Sequence, residues 1–386
     1  MFISFIEYPE EKHDEHSDYP LAPERLVVTS DMLSCKQKEM YKKISDNPDA
    51  SPGDSLPKLI PNLQGKTNYI THSENLKLYI SLGMVITKIH RGITFTQEAW
   101  LAKYIDFNTQ QRAGASNEFE KNFYKLLNNS VFGKTMENVR NHRKIDLVTN
   151  KTTLKKLVSK PTFKQYYAFH ENLVAVERIV STINLNRPIY TGFCVLELSK
   201  TLMYRWHYHY VKTMYPGEKS KLLFTDTDSL VYQIETRDLY DDMHQSSHLF
   251  DFSGYDHSHK CYSSVNKKVI GKMKDELNGT IMSEFIGLRS KMYSVKDGNQ
   301  QEMKKAKGVR KNVIKNEIKH HDYKNVLLES SKMHHINRGI RSQNHQLFSI
   351  KQNKVSLSAY DDKRYILDDG ISTYAYGHYK ITNRFS

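Results

Sequence analysis

Leu222–Ile234 reads LLFTDTDSLVYQI. One apolar run (Leu222, Leu223, Phe224) enters this stretch, and a second (Leu230, Val231, Tyr232, Ile234) leaves it. Two short β-type runs around the polar segment Thr225-Asp226-Thr227-Asp228-Ser229 predict a hairpin. Its tip carries two carboxylates separated by a single threonine. Oxygen ligands of this kind suit divalent cations, and a metal pair is a common device for moving phosphoryl or nucleotidyl groups. Asp, Thr and Ser are also ordinary turn formers. Taken alone, the segment therefore fits a plain hairpin better than a metal site.

Composition narrows the choices. The chain has 386 residues and a formal charge of +14, enough length for two or three subdomains around a sizeable core. The excess of Lys and Arg suits a polyanion, because phosphate contacts release counterions. Three cysteines, Cys35, Cys194 and Cys261, provide no disulfide framework and fit a reducing compartment. The opening MFISFIEYPEEKHDEH turns acidic too soon for a secretory leader. No stretch approaches the ~18 apolar residues of a membrane span, so the expectation is an intracellular protein with no membrane partner.

Outward from the hairpin, the strongest pattern is a helical pair. Gln97–Asn108 is predicted as the first helix, and Arg112–Ala115 as the break. Asn117, with Glu120 three residues on, predicts a capping box at the start of the second. Helical spacing puts Phe119, Phe123, Leu126 and Ser130 on one face, expected to pack. Lys121, Lys125, Asn128 and Phe132 fall on the opposite face with Asn129 at its edge, and Gly133 is a natural stop. Upstream, Met1–Glu7 is predicted as a strand, Leu33–Ile44 as a helix, Asp46–Pro61 as a proline-rich loop, and Ile93–Thr96 as a short strand. Downstream, Phe193–Tyr210 is predicted as a helix burying Val195, Leu198, Leu202, Met203 and Trp206.

Three motifs now stand in order. Lys125-x-x-x-Asn129-Ser130-x-Phe132-Gly133 resembles the nucleotide-binding helix of family B DNA polymerases. Thr225–Ser229 is similar to their Asp-Thr-Asp-Ser palm motif, and Lys291-Met292-Tyr293 to their Lys-x-Tyr motif. The surrounding text (EYPEEKHDEHSDYPLAPE, GKTMENVRNHR, LELSKTLMY) resembles the protein-primed branch, which includes linear-plasmid, adenoviral and Polinton (Maverick) enzymes.

The resemblance implies an α+β fold of right-hand polymerase architecture: an antiparallel palm sheet, helical fingers and a mixed thumb. It implies a partial palm and connecting region at 1–96, fingers at 97–138, and an insertion region at 139–187. The palm with the catalytic hairpin follows at 188–300, and the thumb and tail at 301–386. Asp226 and Asp228 are implied as catalytic metal ligands, Asp228 the principal one, for two Mg²⁺ ions with Mn²⁺ as the alternative. Lys121, Lys125 and Arg112 are implied to bind the incoming dNTP, with Asn129 and Phe132 lining the nascent base pair. Lys291 and Tyr293 are implied to grip the primer end, and Lys304, Lys305, Lys307 and Arg310 to hold the primer-template through phosphates. A terminal-protein primer is a further implied partner, and a host nucleus or cytoplasm the implied location.

Some features depart from the family pattern. Phe132 stands in place of Tyr, and Thr225 where many members have Gly. The first palm motif, Asp-x-x-Ser-Leu-Tyr-Pro, and the 3′–5′ exonuclease segment are not found; Asp18-Tyr19-Pro20 and Asp54-Ser55-Leu56-Pro57 only echo the former. The expectation is a carboxy-terminal polymerase fragment with negligible activity alone and an exposed palm-sheet edge. The alternative is a non-catalytic DNA- or partner-binding remnant. His257, His259 and Cys261 are expected in a surface loop rather than a zinc site, because no second ligand pair accompanies them.

Overall fold

The computed structural model describes residues 1–45, 52, 56–343 and 346–382. Asp54 and Ser55 of the second motif echo, and most of the proline-rich loop, lie outside them. The fold is mixed α/β, and every strand pair with a described register is antiparallel. The chain divides into two compact units, one formed by 1–113, 196–337 and 353–386, the other by 114–195 and 338–352.

In the first unit Phe2–Glu7 is the middle strand of three, between Lys66–Thr71 and Val85–Gly92. Helix Ser73–Ser81 contributes Leu76, Leu78 and Tyr79 to a core with Ile6, Tyr8, Tyr204 and Tyr208. Helix Cys35–Ile44 starts at a capping box, Ser34 with Gln37, because these two side chains satisfy N–H groups that the first turn leaves unpaired. Ile93–Thr96 is not a strand.

The long helix runs Ile189–Arg205 and continues through a π-helical stretch, Trp206–Val211. Its buried side differs from the expected apolar stripe. Of the expected stripe, Met203 is buried and Trp206 packs against a core cluster, but Val195, Leu198 and Leu202 are all more than 40% exposed, and Glu197, Thr201, Tyr204, His207 and Tyr208 are buried instead. A polar network explains this. The Glu197 carboxylate accepts from the Thr71 hydroxyl at 2.9 Å, the His72 N–H at 3.2 Å and the Asn75 amide at 2.9 Å, and pairs with Lys200 at 2.8 Å. Burial opposes its charge, but Lys200, Asn75 and the His72 N–H outweigh it and hold the carboxyl below its ordinary value. A carboxylate satisfied four ways can be buried where an unpaired one could not.

Three buried histidines of the first unit are held neutral. Burial lowers His16 to about 4, His207 to about 3 and His378 to about 4. In the unfolded chain each takes up its proton near its free value of about 6.5. Between that value and the depressed ones the unfolded state binds more protons, so stability is complete above about pH 6.5 and falls on acidification. Each histidine contributes up to about 1.4 kcal/mol per pH unit. Thermal melts at pH 7.5 and pH 5.0 should show a clearly lower midpoint at pH 5.0, with the loss reduced in His207→Phe; equal midpoints would refute it.

A second core lies under the antiparallel strands Met282–Arg289, Met292–Asp297 and Glu302–Ala306. Ile286, Leu288 and Met292 pack there against Val313, Tyr323 and Val326 of helices Lys311–Asn316 and His320–Leu328. The segment between Phe250 and Met282 has no regular element, yet Cys261 is not on the surface. It is buried with Phe250, Phe252 and Tyr255, its thiol facing the Tyr240 carbonyl at 3.2 Å. His259 rests against Tyr240 and Tyr255.

The first predicted helix shifts: it spans Ala102–Gly114, through the expected break, and all but its last residue belongs to the first unit, the second unit starting at Gly114. The next helix is Glu118–Thr135 and runs past Gly133. Asn117 caps Glu120 at 2.9 Å, but the Glu120 carboxylate accepts from Ser116 at 3.3 Å, so the box closes one residue early. Phe119, Phe123 and Leu126 are 78%, 45% and 64% exposed. Periodicity shows which side chains share a face; it does not show that another element covers it. Lys144–Val148, Leu173–Arg178 and Phe163–His170 form a three-stranded sheet, Leu173–Arg178 in the middle. Helix Lys151–Val158 closes its core of Val148, Leu157, Val174 and Val176.

Candidate active site

Strands Ser220–Asp226 and Ser229–Ile234 form a two-stranded sheet by themselves, with Ser229 opposite Asp226. The turn is therefore shorter than the five polar residues suggest. The Asp228 N–H donates to the Asp226 carbonyl at 2.7 Å across Thr227, whose φ is +59°. This is a γ-turn, and a β-branched residue at positive φ costs roughly 1–3 kcal/mol. The cost is borne at a tip that holds one carboxylate on each side. Asp226 is half-buried and Asp228 exposed. The hairpin is anchored from behind, where Tyr232 shares a 2.9 Å hydrogen bond with His207 Nδ1 in the π-helical stretch, the two rings stacked.

A second hairpin tip meets the first. Strands Met282–Arg289 and Met292–Asp297 are joined by Ser290-Lys291, with Lys291 at φ +60°. The Lys291 ammonium lies 3.2 Å from Asp226 Oδ1. The Tyr293 ring packs 4.7 Å from that of Phe224. Burial, and then the Asp226 charge, raise its phenol above the ordinary value. Two of the three sequence motifs are thus brought into contact within the first unit.

The third strand extends the site. Lys305 lies opposite Tyr293, and Lys304 opposite Ser294. Because side chains alternate along a strand, Lys305 and Lys307 are exposed, while Lys304 turns inward. Its ammonium donates to the Ile318 carbonyl at 2.6 Å and pairs with Glu302 at 3.2 Å. Lys304, expected to contact phosphate, thus has its ammonium engaged by the fold while still bordering the cleft that Lys305 and Lys307 line. Arg310 is exposed, its N–H donating to Asn337. A cleft of about 870 Å³ opens across Asp226, Lys291, Tyr293, Lys305, Lys307 and helix Lys311–Asn316. Lys311 and Lys315 complete its cationic wall; their i, i+4 spacing was readable in the sequence, their position beside Asp226 was not.

The other predicted residues lie elsewhere. Lys121, Lys125, Asn129 and Phe132 share the helix Glu118–Thr135 in the second unit. Lys121 pairs with Glu118 at 2.8 Å. Lys125 and Asn129 are exposed, and Phe132 is 37% exposed. Arg112 belongs to the first unit, where its carbonyl accepts from Lys268 at 2.8 Å.

The donor set at the first hairpin is hard oxygen, which fits Mg²⁺ or Mn²⁺, and the seat of Asp226 already faces a cation in Lys291. Among the described residues no group of three or more His, Cys, Asp or Glu could hold a metal ion. No described helix is long and apolar enough to cross a membrane.

Comparison with known proteins gives one match. Residues 8–206 fit the family model of DNA polymerase type B, organellar and viral. The matched span holds the lysine helix and ends before the aspartate hairpin. No curated protein and no solved structure matches the chain.

Proposed function

Because the chain belongs to the organellar and viral type B DNA polymerases, we propose that it serves template-directed DNA synthesis, as the palm, fingers and thumb of a right-hand polymerase of the protein-primed, Polinton-like branch. The observation that carries this reading is the meeting of Asp226 with Lys291 and of Phe224 with Tyr293. Segments far apart in sequence supply a carboxylate, an ammonium and an aromatic ring to one cationic cleft.

In this reading Asp226 and Asp228 hold the divalent ions, which when bound supply charge stabilisation at the primer 3′-hydroxyl and the transferred phosphate. The chain's own residues position the substrates. Lys305, Lys307, Arg310, Lys311 and Lys315 take the duplex backbone, since phosphate contacts orient without reading sequence. Lys291 and Tyr293 take the primer end. Lys125 takes the triphosphate as a point charge, with Asn129 and Phe132 beside the nascent base pair. The partners are primer-template, dNTPs and a terminal-protein primer, inside the host cell. One observation favours a second reading, a DNA-binding remnant without catalysis: among the described residues no third His, Cys, Asp or Glu joins the two carboxylates at the tip, and one of the two already has an ammonium partner.

The nucleotide site is tested by binding. With primed duplex present, Lys125→Ala should weaken binding of a fluorescent dATP analogue roughly tenfold, as loss of one charge-assisted phosphate contact implies. Unchanged binding in both Lys125→Ala and Asn129→Ala would remove the helix from the site.

A further inference from the structure

Lys291 does more at this site than line it. Its ammonium stands 3.2 Å from Asp226 Oδ1, and it reaches there from the tip of a hairpin, where its own φ is +60°. Its side chain is 49% exposed and that of Asp226 27%, so neither is locked by packing. A divalent cation on this carboxylate would sit about 2.0–2.6 Å from the same oxygens. Two cations that close repel strongly. A polyanion entering the cleft that Lys291 borders with Lys305, Lys307, Lys311 and Lys315 would offer the displaced ammonium another partner.

We propose that Lys291 is the resident counter-ion of Asp226, and that a divalent cation gains this carboxylate only by displacing it. Lys291 is then a positioning residue with two alternative anions, the carboxylate in the metal-free protein and a backbone phosphate once metal is bound. The inference rests on the reading of Asp226 as a metal ligand, and it goes beyond that reading by making metal entry a competition.

The test measures metal binding without turnover. Tb³⁺ is titrated into the 386-residue protein while tyrosine-sensitised luminescence is followed, and Mn²⁺ is then used to displace it. The component lost in Asp226→Asn defines the site. Lys291→Gln should tighten that component about three- to tenfold, by removing both the ion pair and the local charge. Lys291→Arg should stay within about twofold of the unaltered protein, because it keeps the charge. Lys307→Gln should also stay within about twofold, which separates a specific counter-ion from general positive charge. Lys291→Asn, a side chain suited to left-handed backbone, repeats the measurement if the Gln variant misfolds. Unchanged affinity in Lys291→Gln and Lys291→Asn, or equal tightening in Lys307→Gln, would overturn the displacement. A titration that Asp226→Asn leaves unaltered in every background would overturn the metal-ligand reading itself, and the displacement with it.

Discussion

Given a primed template, dNTPs and Mg²⁺ or Mn²⁺, the 386-residue polypeptide is expected to extend primer no faster than its Asp228→Asn variant. Two-metal catalysis requires cations held ~3.5–4 Å apart by converging ligands. The hairpin offers Asp226 and Asp228, on either side of a γ-turn, and no third His, Cys, Asp or Glu joins them among the described residues. Asp226 already has an ammonium partner in Lys291. In a complete site, losing a principal metal carboxylate costs several kcal/mol of transition-state stabilisation, or roughly 10³-fold or more in rate. A large difference between the two proteins is therefore easy to detect. The measurement is single-nucleotide extension of a labelled primer under single-turnover conditions. Divalent-dependent extension that Asp228→Asn abolishes would show that the hairpin works with the ligands this polypeptide already has. The proposed fragmentary site would then be wrong, and the family assignment would stand.

Much of this arrangement was legible in the sequence, and the limits have physical causes. The aspartate hairpin announced itself because two β-type runs flanked a polar turn, and strand pairing follows such local signals closely. The helix Glu118–Thr135 began where Asn117 placed it, because caps are local chemistry. The γ-turn at Thr227 was hidden, since a β-branched residue is a poor advertisement for positive φ. The buried face of the long helix was misread because hydrophobic periodicity cannot see Glu197, whose burial depends on Thr71, His72 and Asn75, far away in the chain. The inward turn of Lys304 was equally invisible. In a basic run every lysine looks alike until the strand's alternation and a waiting carbonyl, that of Ile318, single one out. What the sequence could not convey, in each case, was which distant group would be present to satisfy a charge.

That distinction among lysines carries the last expectation, which concerns DNA. Replacing Lys305, Lys307, Lys311 and Lys315 together by Gln should weaken binding to a primed duplex by roughly 10²–10³ near 0.1 M salt, and should flatten the slope of log K against log salt by roughly 3–4. The four lie on the wall of one cleft beside Asp226 and Lys291, so a single duplex can engage them at once. Each phosphate contact releases about one condensed counterion, and removal of four contacts is additive in the slope. Lys304 is left in place because its ammonium serves the fold through Ile318 and Glu302; Lys304→Gln should lower the melting temperature more than it lowers DNA affinity. A matched control replaces Lys151, Lys155, Lys156 and Lys160, exposed lysines on or just after a helix of the other unit. It removes the same net charge and should cost less than about fivefold. Fluorescence anisotropy across a salt series reads both affinity and slope. Equal losses in the two quadruple variants would mean that DNA feels only the chain's overall +14 charge, and that the cleft beside Asp226 is not where the duplex lies.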